Sequence, residues 1–294
     1  MSEDEGERAD RLFDAAREAG DDDEALALYA QFLALRPDHA AAHYNVGLIH
    51  KYRGDWLASR EANRRAVELD PTDEASNWNL AIAATALNDW HTAREVWHRL
   101  GYGIAPGDQP IAADFGRALT RLNPDGDPEV VWGRRVDPVR LRIENVPLPS
   151  SGYRFGDVVL HDGAATGQRI SEGREYAVFN AFGLHQPSAL STFELELEAA
   201  DADAVERLRA AAEAAGQEVE DWTAAVRYLC KACSEGLPHE HHDGDGGVDA
   251  GWVARRRLGV AMSDASALAP VLQAWEGPGR RVLALRLALS PPVH

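Results

Sequence analysis

Residues 40–73 read AAAHYNVGLIHKYRGDWLASREANRRAVELDPTD, and this stretch decides the reading of the first third of the chain. It holds two windows with helical spacing of apolar residues, 40–53 and 56–69, separated by Gly54 and ended by Asp70-Pro71. Its landmarks recur 34 residues away: Gly54 with Gly20 and Asn88, Pro71 with Pro37, and Asp55-Trp56 with Asp89-Trp90. Small residues keep the same register at Ala25, Ser59 and Ala93, and larger ones at Tyr29, Asn63 and Trp97. The small side chains let paired helices approach closely. One hairpin of this size cannot bury its own apolar face, so neighbouring hairpins stack into a short superhelix with a concave groove.

This spacing, with Leu80 matching Val46 and with Gly47, Gly54, Ala66 and Pro71 in the middle repeat, resembles the tetratricopeptide repeat (TPR) over residues 6–100. The first repeat departs from the pattern, with Phe13 where a small residue usually faces the partner helix. The third has Ala81 there and lacks the closing proline. The resemblance implies a groove that takes a peptide or a partner helix, faced by the fifth, sixth and twelfth positions of each repeat. Those positions hold Asp10, Tyr44 and Trp78; Arg11, Asn45 and Asn79; Arg17, Lys51 and Thr85. Among them Arg11, Tyr44, Asn45, Lys51, Trp78 and Asn79 are the candidate partner-binding residues. Asparagine amides suit an extended backbone, and the rings offer flat apolar contact. The first and third repeats lack the lysines of the two-carboxylate clamp, so a chaperone C-terminus is not the expected ligand. The alternative is that these residues contact the protein's own C-terminal part. Residues 110–122 look like one more helix capping the stack, which sets the helical domain at 1–123.

From Asp125 the period changes to that of strands. Runs at 129–132, 139–146, 156–161 and 175–179 are separated by turn signals at Pro147 to Gly152, Asp162-Gly163 and Glu172-Gly173, predicting a small β-rich unit over 124–190. His161-Asp162-Gly163 sits at a strand end and reads as a turn. Residues 191–294 then read strand, helix, strand, strand, helix, strand. Asp201 caps an Ala-rich helix over 202–215 that Gly216 stops. The order βαββαβ resembles the ferredoxin-like sandwich by pattern alone, a fold that hosts many functions. The expected class is α+β: a TPR superhelix, a β-rich middle and a ferredoxin-like end. Arg255, Arg256 and Arg257 fall on a strand, so alternate members face opposite sides; they read as a charged edge or as the counterpart of the acidic stretch 194–221, with RNA contact the sharper alternative.

The two cysteines form Cys230-Lys-Ala-Cys233, followed by His239, Glu240, His241 and His242. Two thiolates three residues apart grip one ion from a tight turn, and two imidazoles complete a tetrahedral shell suited to zinc. Cys230, Cys233, His239, His241 and His242 are therefore the candidate ligands of a structural zinc. Three other readings stand beside this one: buried cysteines next to a solvated loop, a redox pair, and a catalytic zinc with Glu240 as base.

The chain has 294 residues, 48 acidic and 30 basic, for a formal charge of −18. The charge is uneven. Residues 1–38 carry 12 acidic and 4 basic side chains and 191–250 carry 15 and 4, whereas 251–294 carry 2 and 6. Such acidity disfavours nucleic acid and anionic membranes as partners. No apolar run spans a bilayer, and the first residues lack the pattern of a secretory leader, so the expected setting is cytoplasmic. Nucleotide-binding and serine-hydrolase motifs do not occur in the sequence. The leading expectation is a non-enzymatic adaptor or inhibitor-type protein that captures a protein or peptide, with a basic partner as its electrostatic complement. A metal-dependent hydrolase with a recruiting TPR domain and an RNA-associated regulator are the alternatives.

Overall fold

A computed structural model describes residues 3–171, 173–223 and 252–292. The chain divides into two compact units, Met1–Ala112 and Ala113–His294. Among the described residues the first holds six helices: α1 (Glu3–Glu18), α2 (Asp22–Leu35), α3 (Ala40–Tyr52), α4 (Trp56–Leu69), α5 (Glu74–Ala86) and α6 (Trp90–Arg99). The starts of α2, α4 and α6 are 34 residues apart, as are those of α3 and α5, so the period in the sequence is a period of helical hairpins.

The local chemistry of the recurring turn explains the period. After α3, Gly54 N–H donates to Lys51 O (3.0 Å) and Asp55 N–H to His50 O (2.9 Å); after α5, Asn88 N–H donates to Thr85 O (3.1 Å) and Asp89 N–H to Ala84 O (2.9 Å). This paired closure requires one left-handed residue, and φ is +72° at Gly54 and +57° at Asn88. The aspartate that follows then accepts from a backbone N–H three residues on, at Ala58 (3.3 Å) and Thr92 (3.2 Å), and so starts the next helix. Asp21 does the same for α2 through Glu24 N–H (2.9 Å). One dipeptide thus ends one helix and begins another.

The expected helix over 110–122 is not formed. Arg117–Leu122 is a strand, β1, held on both sides by partners remote in sequence. Its alternation places Ala118 and Leu122 in one apolar cluster and Leu119 in another, a period of two that a short window of apolar residues conceals.

The second unit begins with β1, β2 (Glu129–Arg135), β3 (Arg140–Ile143), β4 (Val158–His161), β5 (Gly167–Ser171) and β6 (Arg174–Gln186). They lie in the order β1-β2-β3-β4-β6-β5. A parallel pairing of β1 with β6, Leu119 opposite Val178, closes five of them into a barrel, and β5 flanks β6. Register shifts where β6 passes β4 supply the bending that closure needs. At Gly133 in β2 an added Cβ would lie 2.0 Å from Leu141 Cδ2 and 2.5 Å from Arg142 O, so only glycine fits between these strands.

After the barrel come β7 (Ser191–Ala199), α7 (Ala202–Ala214), β8 (Glu218–Asp221), β9 (Arg255–Met262), α8 (Ala269–Trp275) and β10 (Arg280–Leu289). The four strands form an antiparallel sheet in the order β10-β7-β9-β8. Leu195, Leu197, Leu258 and Val260 turn one face towards Val205 and Leu208 of α7 and Trp275 of α8. The alternate residues carry charge: Arg257 pairs with Glu194 (2.8 Å), Arg255 and Arg286 with Glu196 (2.8 and 2.9 Å), and Arg281 with Glu198 (3.0 Å). Arg256 faces the other way and pairs with Asp221. The acidic block and the basic end of the chain therefore meet across neighbouring strands, the arrangement expected from alternation.

Barrel and sheet join within this unit. The Trp222 indole N–H donates to Val146 O (2.9 Å), and its ring lies against Gly259, where an added Cβ would come within 2.3 Å of it. The Glu220 carboxylate accepts from Asn145 Nδ2 and Val146 N–H, both at 2.8 Å. The β-rich middle and the C-terminal sheet, separate in the sequence reading, are one unit.

Candidate functional site

The helical unit holds the site, and its geometry starts with small residues between paired helices. Ser59 Oγ donates to Gly47 O (2.8 Å), and Asn63 Nδ2 donates to Ser59 O (2.8 Å), all three residues being buried. An added Cβ at Gly47 would lie 2.2 Å from Asn63 Nδ2. Gly47→Ala is therefore expected to cost about 1–3 kcal/mol through overpacking. In a thermal-denaturation double-mutant cycle, Asn63→Ala should recover a large part of that loss. Additive losses would show that the two positions do not collide.

The six residues expected to face a partner have different fates. Arg11 is exposed on α1 and pairs with Glu7 (3.4 Å). Tyr44 is half-buried, and Asn45 Nδ2 donates to Tyr29 Oη (2.8 Å). Lys51 and Asn79 are buried at 3% exposure each, and Lys51 Nζ donates to Asn79 Oδ1 (2.9 Å). The structure brings those two together as an internal tie between α3 and α5. Along α5, Ile82 and Thr85 are fully buried as well, so this part of the groove face presents no open surface. Trp78 remains half-buried, in edge-on contact with Trp97 (4.9 Å between ring centroids) and tilted against Tyr102 (5.7 Å).

Trp78 opens onto a cleft of about 630 Å³ at the ends of α5 and α6, bounded by Pro71, Thr72, Trp78, Arg99, Leu100 and Tyr102. Three local devices shape it. Asn77, at the base, donates through Nδ2 to Pro71 O (3.0 Å) and Asp73 O (2.8 Å), fixing the turn between α4 and α5. Gly101, with φ +83°, closes α6 by the turn already seen at Gly54: Gly101 N–H donates to His98 O and Tyr102 N–H to Trp97 O, both at 3.0 Å. That closure sets the Tyr102 ring against Trp97, 5.5 Å between centroids. The cleft thus has an aromatic wall and apolar edges, with both Arg99 and Glu74 among its lining. Its volume falls in the range of small-ligand and peptide side-chain pockets.

Arg99 and Tyr102 were not singled out by position in the repeat, and Pro71 only as the residue that closes it. Leu100-Gly101-Tyr102 does carry a readable signal: glycine just past a helix, followed by a large apolar residue, marks a closure that packs the aromatic back onto the last turn.

The zinc assignment requires correction. Cys230, Cys233, His239, His241 and His242 lie outside the described residues. Among the described residues no group of three or more His, Cys, Asp or Glu side chains is placed to hold a metal ion. His161, in the β-rich unit, is a structural turn residue: its Nδ1 accepts from Gly163 N–H (2.9 Å) and its ring stacks on Phe179 (4.4 Å, 22°). Burial, and secondarily the Arg135 charge, push its pKa down to about 3, so the ring is neutral. No described helix is long and apolar enough to cross a membrane.

No family model matches the chain, and no curated protein matches it. Among solved structures it is similar to one titled "Novel crystal structure of a hypothetical protein from Neisseria gonorrhoeae", at 14% identity over 59% of this chain and 94% of that one, with a TM-score of 0.26. A likeness that slight carries no argument about fold or function.

Proposed function

We propose that the protein is a non-enzymatic binding protein whose helical-repeat unit captures a segment of a partner protein. The observation that carries this reading is the open cleft walled by Trp78 and Tyr102, with Arg99 in its lining. Tyr102 is 38% exposed, and a ring held edge-on by its neighbours and open on one side is the kind of group that anchors protein–protein contacts. The six helices are read as three tetratricopeptide-type repeats, supported by the 34-residue recurrence of the capping aspartates Asp21, Asp55 and Asp89. The C-terminal part is read as a ferredoxin-like sandwich, supported by the strand order β10-β7-β9-β8. The acidic helices α1 and α2 favour a basic partner and draw it by electrostatic steering.

The reading is tested by selecting a displayed peptide library on the full chain and titrating the enriched peptides. Tyr102→Ala is expected to weaken binding at least about tenfold, and Arg99→Glu to shift the affinity of charged peptides in favour of basic ones. Tyr52→Ala, at a ring 62% exposed and outside the cleft, is expected to leave it unchanged. Failure to enrich any peptide, or affinities indifferent to Tyr102 and Arg99, would overturn the assignment. The association rate of a basic peptide should also fall as salt is raised, since surface steering is screened over about 10 Å at 0.1 M.

A further inference from the structure

We propose that β10 is the seam of a two-fold dimer, at which a second copy of this chain adds its own β10 antiparallel to the first. β10 is ten residues long and lies at the edge of its sheet, paired on one side with β7; among the described residues no strand pairs with its other side. Its sequence, Arg280-Arg-Val-Leu-Ala-Leu-Arg-Leu-Ala-Leu289, has seven apolar residues in ten, with apolar side chains on both faces. That composition suits a strand covered on both faces inside a sheet. In place of such cover, Leu287 is 56% exposed and Val282, Leu283, Leu285 and Leu289 are all incompletely buried, whereas Leu195 and Leu197 of the neighbouring β7 are fully buried.

The opposite edge of the same sheet is built differently. β8 is four residues long, and Glu218, Glu220 and Asp221 give it a charge at three of the four positions. Short length and charge are the usual defences of a sheet edge. β10 has neither lysine nor proline within it; its edge features are Arg280, Arg281 and Arg286, the Glu276 carboxylate that accepts from Val282 N–H (2.9 Å), and the register shifts at 282–284 and 287–289, which leave 284–287 in regular register.

A second copy fits this edge because the strand complements itself. Antiparallel pairing centred on Ala284 sets Arg286 opposite Val282, Arg281 opposite Leu287, Arg280 opposite Ala288, and Leu283 opposite Leu285. No arginine faces another. Arg281 and Arg286 are already neutralised within each copy by Glu198 and Glu196. Pairing would extend the sheet from four strands to eight across the two-fold axis, a closed, isologous interface.

Light scattering on a size-exclusion column, with the full chain loaded at several concentrations, tests the proposal. The expected mass at high concentration is about twice 32.1 kDa, falling towards one chain on dilution. Leu287→Lys is expected to raise the dissociation constant at least about tenfold, since it sets a lysine opposite Arg281 of the second copy twice across the axis. Unchanged near-ultraviolet circular dichroism would establish that the variant folds. Deuterium exchange supplies a second readout: amides of β10, and not those of β8, should become more protected as concentration rises. A single-chain mass at every concentration would overturn the proposal and leave β10 to a foreign strand. A dimer that Leu287→Lys leaves equally tight, with β10 exchange indifferent to concentration, would overturn it too.

Discussion

Urea titrations across a pH series are expected to show stability falling steadily below about pH 6.5, with His161 as the largest single cause. The ring is fully buried in the barrel, and its pKa is lowered from 6.5 to about 3. The sign follows from proton counting. Between these two values the unfolded chain binds a proton that the native ring refuses, so stability rises with pH and is lost on acidification. One such group contributes a slope of about 1.4 kcal/mol per pH unit within that window, so the loss by pH 4 is of the order of 3 kcal/mol, a large fraction of the stability of a domain. Asp157 acts in the opposite sense: burial raises its pKa, so protonation near the carboxylate range favours the native state. The check is His161→Asn. Asparagine at this position retains an acceptor for Gly163 N–H in an Asx-type turn and has nothing to titrate. Whatever its absolute stability, its curve should be flatter between pH 6.5 and 4. Equal slopes in the two proteins would remove His161 from the account.

Replacing Trp222 by alanine should destabilise the second unit by about 3–5 kcal/mol, the usual range for truncating a buried aromatic. At this position the ring belongs to the cluster that joins barrel to sheet, with Val146 and Ala261 buried and Leu148, Phe155 and Leu190 packed around them. Its N–H is also a partner of Val146 O, which would be left in an apolar junction. Calorimetry is expected to show the midpoint of this unit lowered by roughly 2–4 °C for each kcal/mol lost. Trp222→Phe, which deletes the hydrogen bond and keeps most of the surface, should fall between wild type and alanine. Gly259→Val provides an independent route to the same end, because its side chain occupies the volume of the indole. A loss below about 1 kcal/mol for Trp222→Ala would mean that barrel and sheet are held together by the Glu220 contacts instead.

The helical unit was the more legible of the two. Its hairpins repeat through contacts a few residues apart: a left-handed Gly54 or Asn88, then an aspartate that caps the next helix, with Ser59 and Gly47 setting the helix separation. Such signals survive in a linear reading because cause and effect lie within one turn of chain. The alternation of Glu194, Glu196 and Glu198 against Arg255 and Arg257 was legible for the same reason, a period of two on either strand. The misreading of 110–122 as a helix arose where locality ends. β1 is a strand because β2 and β6 flank it, and Thr120 Oγ1 reaches Phe179 O across 59 residues of chain.

The candidate site divides along the same line. The repeat positions put Trp78, Lys51 and Asn79 on one expected groove face; in the structure Trp78 lines the cleft, and the fold ties the other two to each other. By itself the sequence determined the 34-residue period, the capped helical hairpins and the order of the described strands and helices after residue 190, all of which rest on near-neighbour hydrogen bonds and on which side of an element is apolar. Tertiary structure alone decided that five strands close into a barrel, that barrel and C-terminal sheet share Trp222, and that the open aromatic surface lies at the ends of α5 and α6. The physical reason is that burial belongs to a whole packed unit: whether a given Lys, Asn or Trp is free to meet a partner depends on residues far along the chain that no local pattern records.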